Sequence, residues 1–172
     1  MAEEVLRVRI LEALRNDLAS ISTGTPDRYF FDLDTASVFV GRNIFGEKDP
    51  LPMLSILEVP IPLDQTPPPT DSEFSSGGWE IMIQGFVTDD PENPTDPAHF
   101  FMADVKKRLA IEKRKALAMN AAQGIFGLGN FVTGLRIGAG VVRPPDEISA
   151  VSYFWLTITL DMVEDLADPY ED

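Results

Sequence analysis

The chain has 172 residues, 44% of them hydrophobic and 24% charged, the balance of a soluble globular domain rather than of a disordered or collagen-like chain. Its 28 acidic residues against 14 Lys and Arg give a formal net charge of -14, which disfavours nonspecific attraction to phosphate backbones or anionic membrane surfaces. There is no cysteine, which excludes a disulfide framework, a thiolate nucleophile and thiolate-ligated zinc or iron–sulfur sites, and fits a reducing compartment.

From about Glu3 to Ser20, Leu6, Ile10, Leu11, Leu14, Leu18 and Ile21 recur at helical spacing and predict an amphipathic opening helix. Gly24, Thr25 and Pro26 end it, and the alternation from Ala36 to Val40 predicts a short strand stopped by Gly41. Asp32 and Asp34 flank Leu33 as an i, i+2 pair expected to share one strand face in solvent. A second strand is expected from Met53 to Val59. The stretch from Pro60 to Gly78, carrying Pro62, Pro67, Pro68 and Pro69, has no periodicity and few aliphatic residues. It reads as a long exposed loop, a segment suited to contacts. Trp79 to Thr88 resumes alternation, with Trp79, Ile81, Ile83 and Val87 on one side and Glu80, Met82, Gln84 and Thr88 on the other.

The turn residues from Thr88 to Pro97 lead into a second helix, with Asp96 as its expected N-cap and Pro97 as its first position. Phe101, Val105 and Leu109 form its core stripe, and its end is expected near Asn120. Between Gly124 and Gly140 repeated glycines interrupt Ile125, Phe126, Phe131, Val132, Leu135 and Ile137, predicting bulged or irregular extended structure. Ser152 to Met162 is the clearest strand: Phe154, Leu156, Ile158, Leu160 and Met162 face a core, and Tyr153, Trp155, Thr157, Thr159 and Asp161 lie opposite. An acidic tail over about 163–172, with Asp165, Asp168, Glu171 and Asp172, closes the chain. The whole reads as one α+β domain over 1–172, a mixed or antiparallel sheet with two main helices packed on one face and long loops.

The familiar kits of catalysis fail at named residues. The single histidine, His99, stands beside Phe100 and Phe101 without triad partners. Gly129 and Gly134 have P-loop spacing, but Leu135-Arg136 replaces the Lys-Ser/Thr that would reach phosphate and magnesium. Gly127-Leu128-Gly129 is followed by Val132 where a dinucleotide fingerprint needs glycine. Asp89, Asp90, Glu92 and Asp96 match no calcium-loop spacing, and prolines interrupt them. The expectation is a non-enzymatic chain with no catalytic, metal or cofactor residues.

Lys106, Lys107, Arg108, Lys113, Arg114 and Lys115 are the strongest local reversal of sign in the acidic chain. They read either as the wet side of a helix or as a patch that meets the acidic segment around Asp165 and Asp168 of a neighbouring copy. With the aromatic pair Tyr153 and Trp155, these residues form the candidate assembly surface.

The order of features resembles that of phage tail terminator (tail completion) proteins. The carriers are the opening Val-Leu-Arg-Val-Arg-Ile-Leu-Glu-Ala-Leu helix, the short strand around Ala36 to Gly41, the Pro52 to Val59 strand, and Gly78-Trp79-Glu80-Ile81-Met82-Ile83-Gln84-Gly85-Phe86-Val87. After them come the acidic turn, Ala103-Asp104-Val105-Lys106-Lys107-Arg108-Leu109-Ala110, and a final apolar strand. The resemblance implies an α+β subunit of a hexameric ring that caps the tail tube, with the tail tube protein on one side and head–tail connector proteins on the other. It further implies a place in the virion neck after assembly in the host cytoplasm, with DNA passing through the ring unbound. Another head–tail joining or baseplate-type subunit, a monomeric host binding module and an enzyme of another kind are the competing readings. They differ in symmetry and partner, in ligand-dependent stabilisation, and in possession of a polar pocket, respectively.

Overall fold

The computed structural model of the chain describes residues 4–60, 70–116, 124–146 and 150–170. Helix α1 (Leu6–Ala19) is followed by strands β1 (Val38–Val40), β2 (Met53–Glu58) and β3 (Phe74–Thr88), then by helix α2 (Asp96–Lys115). A 3-10 turn (Ile125–Gly127) precedes β4 (Val132–Ile137), β5 (Val141–Arg143) and β6 (Val151–Asp165). The strands form one mixed sheet in the order β1-β2-β3-β6-β4, with β5 also on β6; β1 and β2 are parallel and every other pairing is antiparallel. This is the α+β architecture expected from the periodicities.

Both helices lie on one face of the sheet. Leu6, Ile10, Leu14 and Leu18 of α1 and Phe101, Val105 and Leu109 of α2 share a core with Val38, Leu54, Ile56, Trp79, Ile81, Ile83, Phe154, Leu156, Ile158 and Leu160. Because strand side chains alternate, every second residue of β3 and β6 enters this core and the rest stand on the opposite face. Gly85 sits within it, across from Phe154 in the β3–β6 register. The expected irregularity of the glycine-rich segment takes the form of the 3-10 turn and a bulge in β4 between Val132 and Gly134. Gly124, at φ 60°, is held so close to Gly129 that a Cβ would lie 2.3 Å from the Gly129 oxygen, a place for glycine alone.

Four local expectations are corrected. The long loop ends earlier than Gly78, because β3 starts at Phe74 and pairs over its full length with β6, from Phe74 opposite Asp165 to Thr88 opposite Val151. Ser75, Ser76, Gly77 and Gly78 carry no strand pattern of their own; backbone pairing to 161–164 holds them. By the same pairing β6 runs to Asp165, so the acidic segment begins as strand and not as solvated tail. Asp32 and Asp34 are exposed but lie in a loop. Asp32 accepts the Ser22 hydroxyl and the Thr23 N–H, and Asp34 accepts the N–H groups of Ala36 and Ser37. Finally, Thr95 and not Asp96 holds the cap position of α2, with Pro97 in the first turn, where a missing N–H leaves no bond unmade. The expected helix end near Asn120, residues 61–69 of the loop, and Glu171 and Asp172 lie outside the described residues.

Candidate assembly surface

The sheet face away from the helices carries a band of aromatic rings. Phe39 packs on Phe45 with ring centroids 5.9 Å apart, Phe45 on Phe86 at 5.1 Å, Phe86 on Tyr153 at 6.0 Å, and Tyr153 on Trp155 at 5.8 Å. Register explains the sequence: Phe86 is opposite Tyr153 on β3 and β6, and Val141 and Arg143 of β5 are opposite Trp155 and Tyr153. Cations cap both ends of the band. The Arg42 guanidinium lies 4.6 Å from the Phe39 centroid and 5.1 Å from that of Phe45, and Arg143 lies 5.9 Å from Trp155. Arg42 is also fixed by Asp49 at 2.7 Å, and the Ser55 hydroxyl donates to its carbonyl, so the loop after β1 folds over the β2 end of the face. Trp155 remains 37% exposed, with Val141 at 48% beside it.

The basic run of α2 divides in the structure. Arg108 turns inward: its Nε donates to Oδ1 of Asp17 on α1 at 2.8 Å and its Nη2 reaches Glu112 at 2.9 Å. Lys115 also bonds Glu112, whose other oxygen accepts the Phe126 N–H at 3.1 Å. Lys106 donates to the Ala139 carbonyl, and Lys107 reaches the Arg28 carbonyl at 3.4 Å while lying over the Tyr29 ring. Lys113 and Arg114 are exposed and have no ion-pair partner among the described residues. Of the six cations only Arg108 and Lys115 are paired with carboxylates among the described residues; Lys106 and Lys107 bond neutral carbonyls and keep their charge.

Burial pushes the Asp17 carboxyl up to about 7, with the Glu112 charge adding to the rise and Arg108 opposing it. Asp17 Oδ2 is buried without a hydrogen-bond partner, so nothing at that oxygen offsets the cost of burying the charge. Burial also works against the Glu112 charge, but Lys115 and the Phe126 N–H outweigh it and hold Glu112 below the ordinary range. The cluster therefore joins the C-terminal turns of both helices to the glycine-rich segment.

The acidic end is likewise tied into its own chain. Asp165 Oδ1 accepts the N–H groups of Ala167 at 2.8 Å and Asp168 at 3.3 Å, and the Pro169 carbonyl accepts the Leu6 N–H at 3.1 Å. Asp168 is exposed. The structure does not bring Asp165 and Asp168 to the basic helix of the same chain.

At the other end of α2 an open groove of about 540 Å³ lies between α2, the 51–52 turn and the 88–91 turn. Phe31, Leu51, Pro52, Pro97 and Phe100 form its walls, and Asp89 and Asp90 stand at it. The wall is positioned by Asp104, buried on α2, whose Oδ2 accepts the N–H groups of Phe30 at 2.8 Å and Phe31 at 3.0 Å. Phe30 in turn packs on Phe100 at 4.9 Å.

His99 is exposed in the first turn of α2. No group of three or more His, Cys, Asp or Glu that could hold a metal occurs among the described residues. Among the same residues no helix is long and apolar enough to cross a membrane. Sequence reasoning placed Tyr153 and Trp155 on this face but missed Phe39, Arg42, Phe45 and Arg143. The clustering of Phe39, Arg42 and Phe45 around Gly41 is a signal that could have found three of them. No protein-family model matches the chain, and no curated protein matches it.

Proposed function

We propose that the chain is a structural virion subunit, a ring-forming tail terminator that caps the phage tail tube and joins it to the head connector. The observation that carries this reading is the aromatic face from Phe39 to Trp155, which the chain's own helices leave uncovered while packing on the opposite face. Aromatic rings flanked by arginine are the composition favoured at protein interfaces. The order of helices and strands that resembles the terminators supports the choice among assemblies. A net charge of -14 suits a ring through which DNA slides without sticking, since carboxylates repel phosphate.

The test is electron microscopy of the purified protein, alone and mixed with the tail tube protein of the same phage. Closed rings of one copy number, seated on tube ends in the mixture, are the expected result. A protein that forms no ring in either sample is not a terminator. Rings that bind a baseplate component in preference to the tube would move the chain to another joining role.

A further inference from the structure

Helix α2 carries unlike surfaces at its two ends, and they complement one another. At its first turn is the groove walled by Leu51, Pro52, Pro97 and Phe100, with Asp89 and Asp90 beside it. Leu51 is 40% and Phe100 47% exposed, a wet apolar surface next to carboxylates. At its last turn stand Lys113 and Arg114, exposed and unpaired among the described residues, although the cations on either side, Arg108 and Lys115, are both bound to Glu112. Twenty helical residues at about 1.5 Å each hold the two ends roughly 30 Å apart. The groove and the basic end of one chain are too far apart to meet each other. They can meet only between copies.

We infer that the basic end of α2 in one copy docks into the aromatic and acidic groove at the start of α2 in the next, Arg114 lying against Phe100 with Asp89 and Asp90 as its counter-charges. The groove suits this occupant chemically. A guanidinium stacks on an aromatic face while its edge donates to carboxylates, a combination that a lysine or an apolar side chain meets only in part. The lysine beside it adds charge at the rim, where it steers encounter. Because the two surfaces differ and lie at opposite ends of α2, the contact is head-to-tail, the kind that closes into a ring when the rotation per copy permits. The inference rests on the ring reading above and names the contact that builds the ring. It also relocates the charge complementarity that the sequence suggested: the acidic partner of the helix is the 89–90 turn, not the segment around Asp165 and Asp168.

A pair of charge-swapped variants tests it. One carries Lys113→Glu and Arg114→Glu; the other carries Asp89→Arg and Asp90→Arg. Each alone sets like charges against each other at every contact, so sedimentation velocity should show assembly at least about tenfold weaker than for the unaltered protein. Mixed in equal amounts, they restore opposite charges at every contact of a ring in which the two variants alternate, and rings with an even number of copies should return. Circular dichroism of each variant alone reports whether it is folded. If the unaltered protein assembles and both variants assemble equally well, this contact is wrong while the ring reading stands. A loss that mixing does not restore also overturns the contact. An unaltered protein that stays monomeric, alone and with tube protein, removes the ring reading and this inference together.

Discussion

Arg108 on α2 donates its Nε to Oδ1 of Asp17 on α1 at 2.8 Å, so the one strongly basic stretch of the chain is in part a clamp between its two helices. The Arg108 side chain is 19% exposed and that of Asp17 7%, with Glu112 at 1% as the second acceptor. Removing the cation strips the buried Asp17 carboxyl of its donor and leaves Glu112 with Lys115 and the Phe126 N–H alone. Arg108→Met should therefore destabilise the fold by about 3–5 kcal/mol, read as a fall in the urea midpoint. Lys107→Met, by contrast, removes an exposed contact and should cost under about 1 kcal/mol. Equal effects of the two would contradict the clamp.

The pH dependence of stability follows from the same pair. Asp17 is raised from 3.8 to about 7 in the folded state, so the folded chain binds a proton that the unfolded chain has released. Stability from this group is fully present below the unfolded value and is lost as pH rises through about 7. Glu112, held low, contributes in the opposite sense, and its share disappears only in acid. The urea midpoint should accordingly fall between pH 5 and pH 8. Asp17→Asn, which keeps the shape of the protonated carboxyl, should flatten that slope. An unchanged slope in Asp17→Asn would place the titrating group elsewhere.

Core packing makes an independent prediction at Gly85. A Cβ on this residue would lie 2.1 Å from Cε1 of Phe154, whose ring meets Phe101 of α2 edge-on at 5.5 Å. The ring occupies the space that a side chain at Gly85 would need, with Phe101 of α2 packed against it. Gly85→Ala should cost about 1–3 kcal/mol through overpacking. Adding Phe154→Leu should recover part of that loss. Additive losses in the double variant, measured by thermal unfolding, would show that the two sites do not share the space.

The legible parts of the fold are those in which burial imposes a period. Ile10, Leu14 and Leu18 mark α1, and Phe154, Leu156 and Ile158 mark β6, because one face of each element must meet the core. Ser75 to Gly78 could not be read as strand, since small residues bury nothing and only the register with β6 fixes them. The two readings of the basic helix could not be told apart in the sequence for a different reason. Whether a cation is free depends on what faces it, and Asp17 lies 91 residues from Arg108. The aromatic face was half legible: Tyr153 and Trp155 alternate with core residues on one strand, whereas Phe39 and Phe45 join them only through pairing across β1, β2, β3 and β6.

The two tryptophans give a direct optical test of the uncovered face. Trp79 is 8% exposed on the helix side of the sheet, and Trp155 is 37% exposed on the open side. Replacing Trp79 with Phe leaves Trp155 as the sole tryptophan, whose selectively excited emission acrylamide should quench in the isolated subunit. If the aromatic band is where another protein seats, quenching should fall severalfold when the tube protein is added. Trp155→Ser should abolish that association, with circular dichroism confirming that the variant still folds, since the ring also packs on Tyr153 and under Arg143 within the chain. Trp155 that stays fully quenchable in the assembled particle would show that this face looks into solvent, and the docking surface would then have to be sought among the loops.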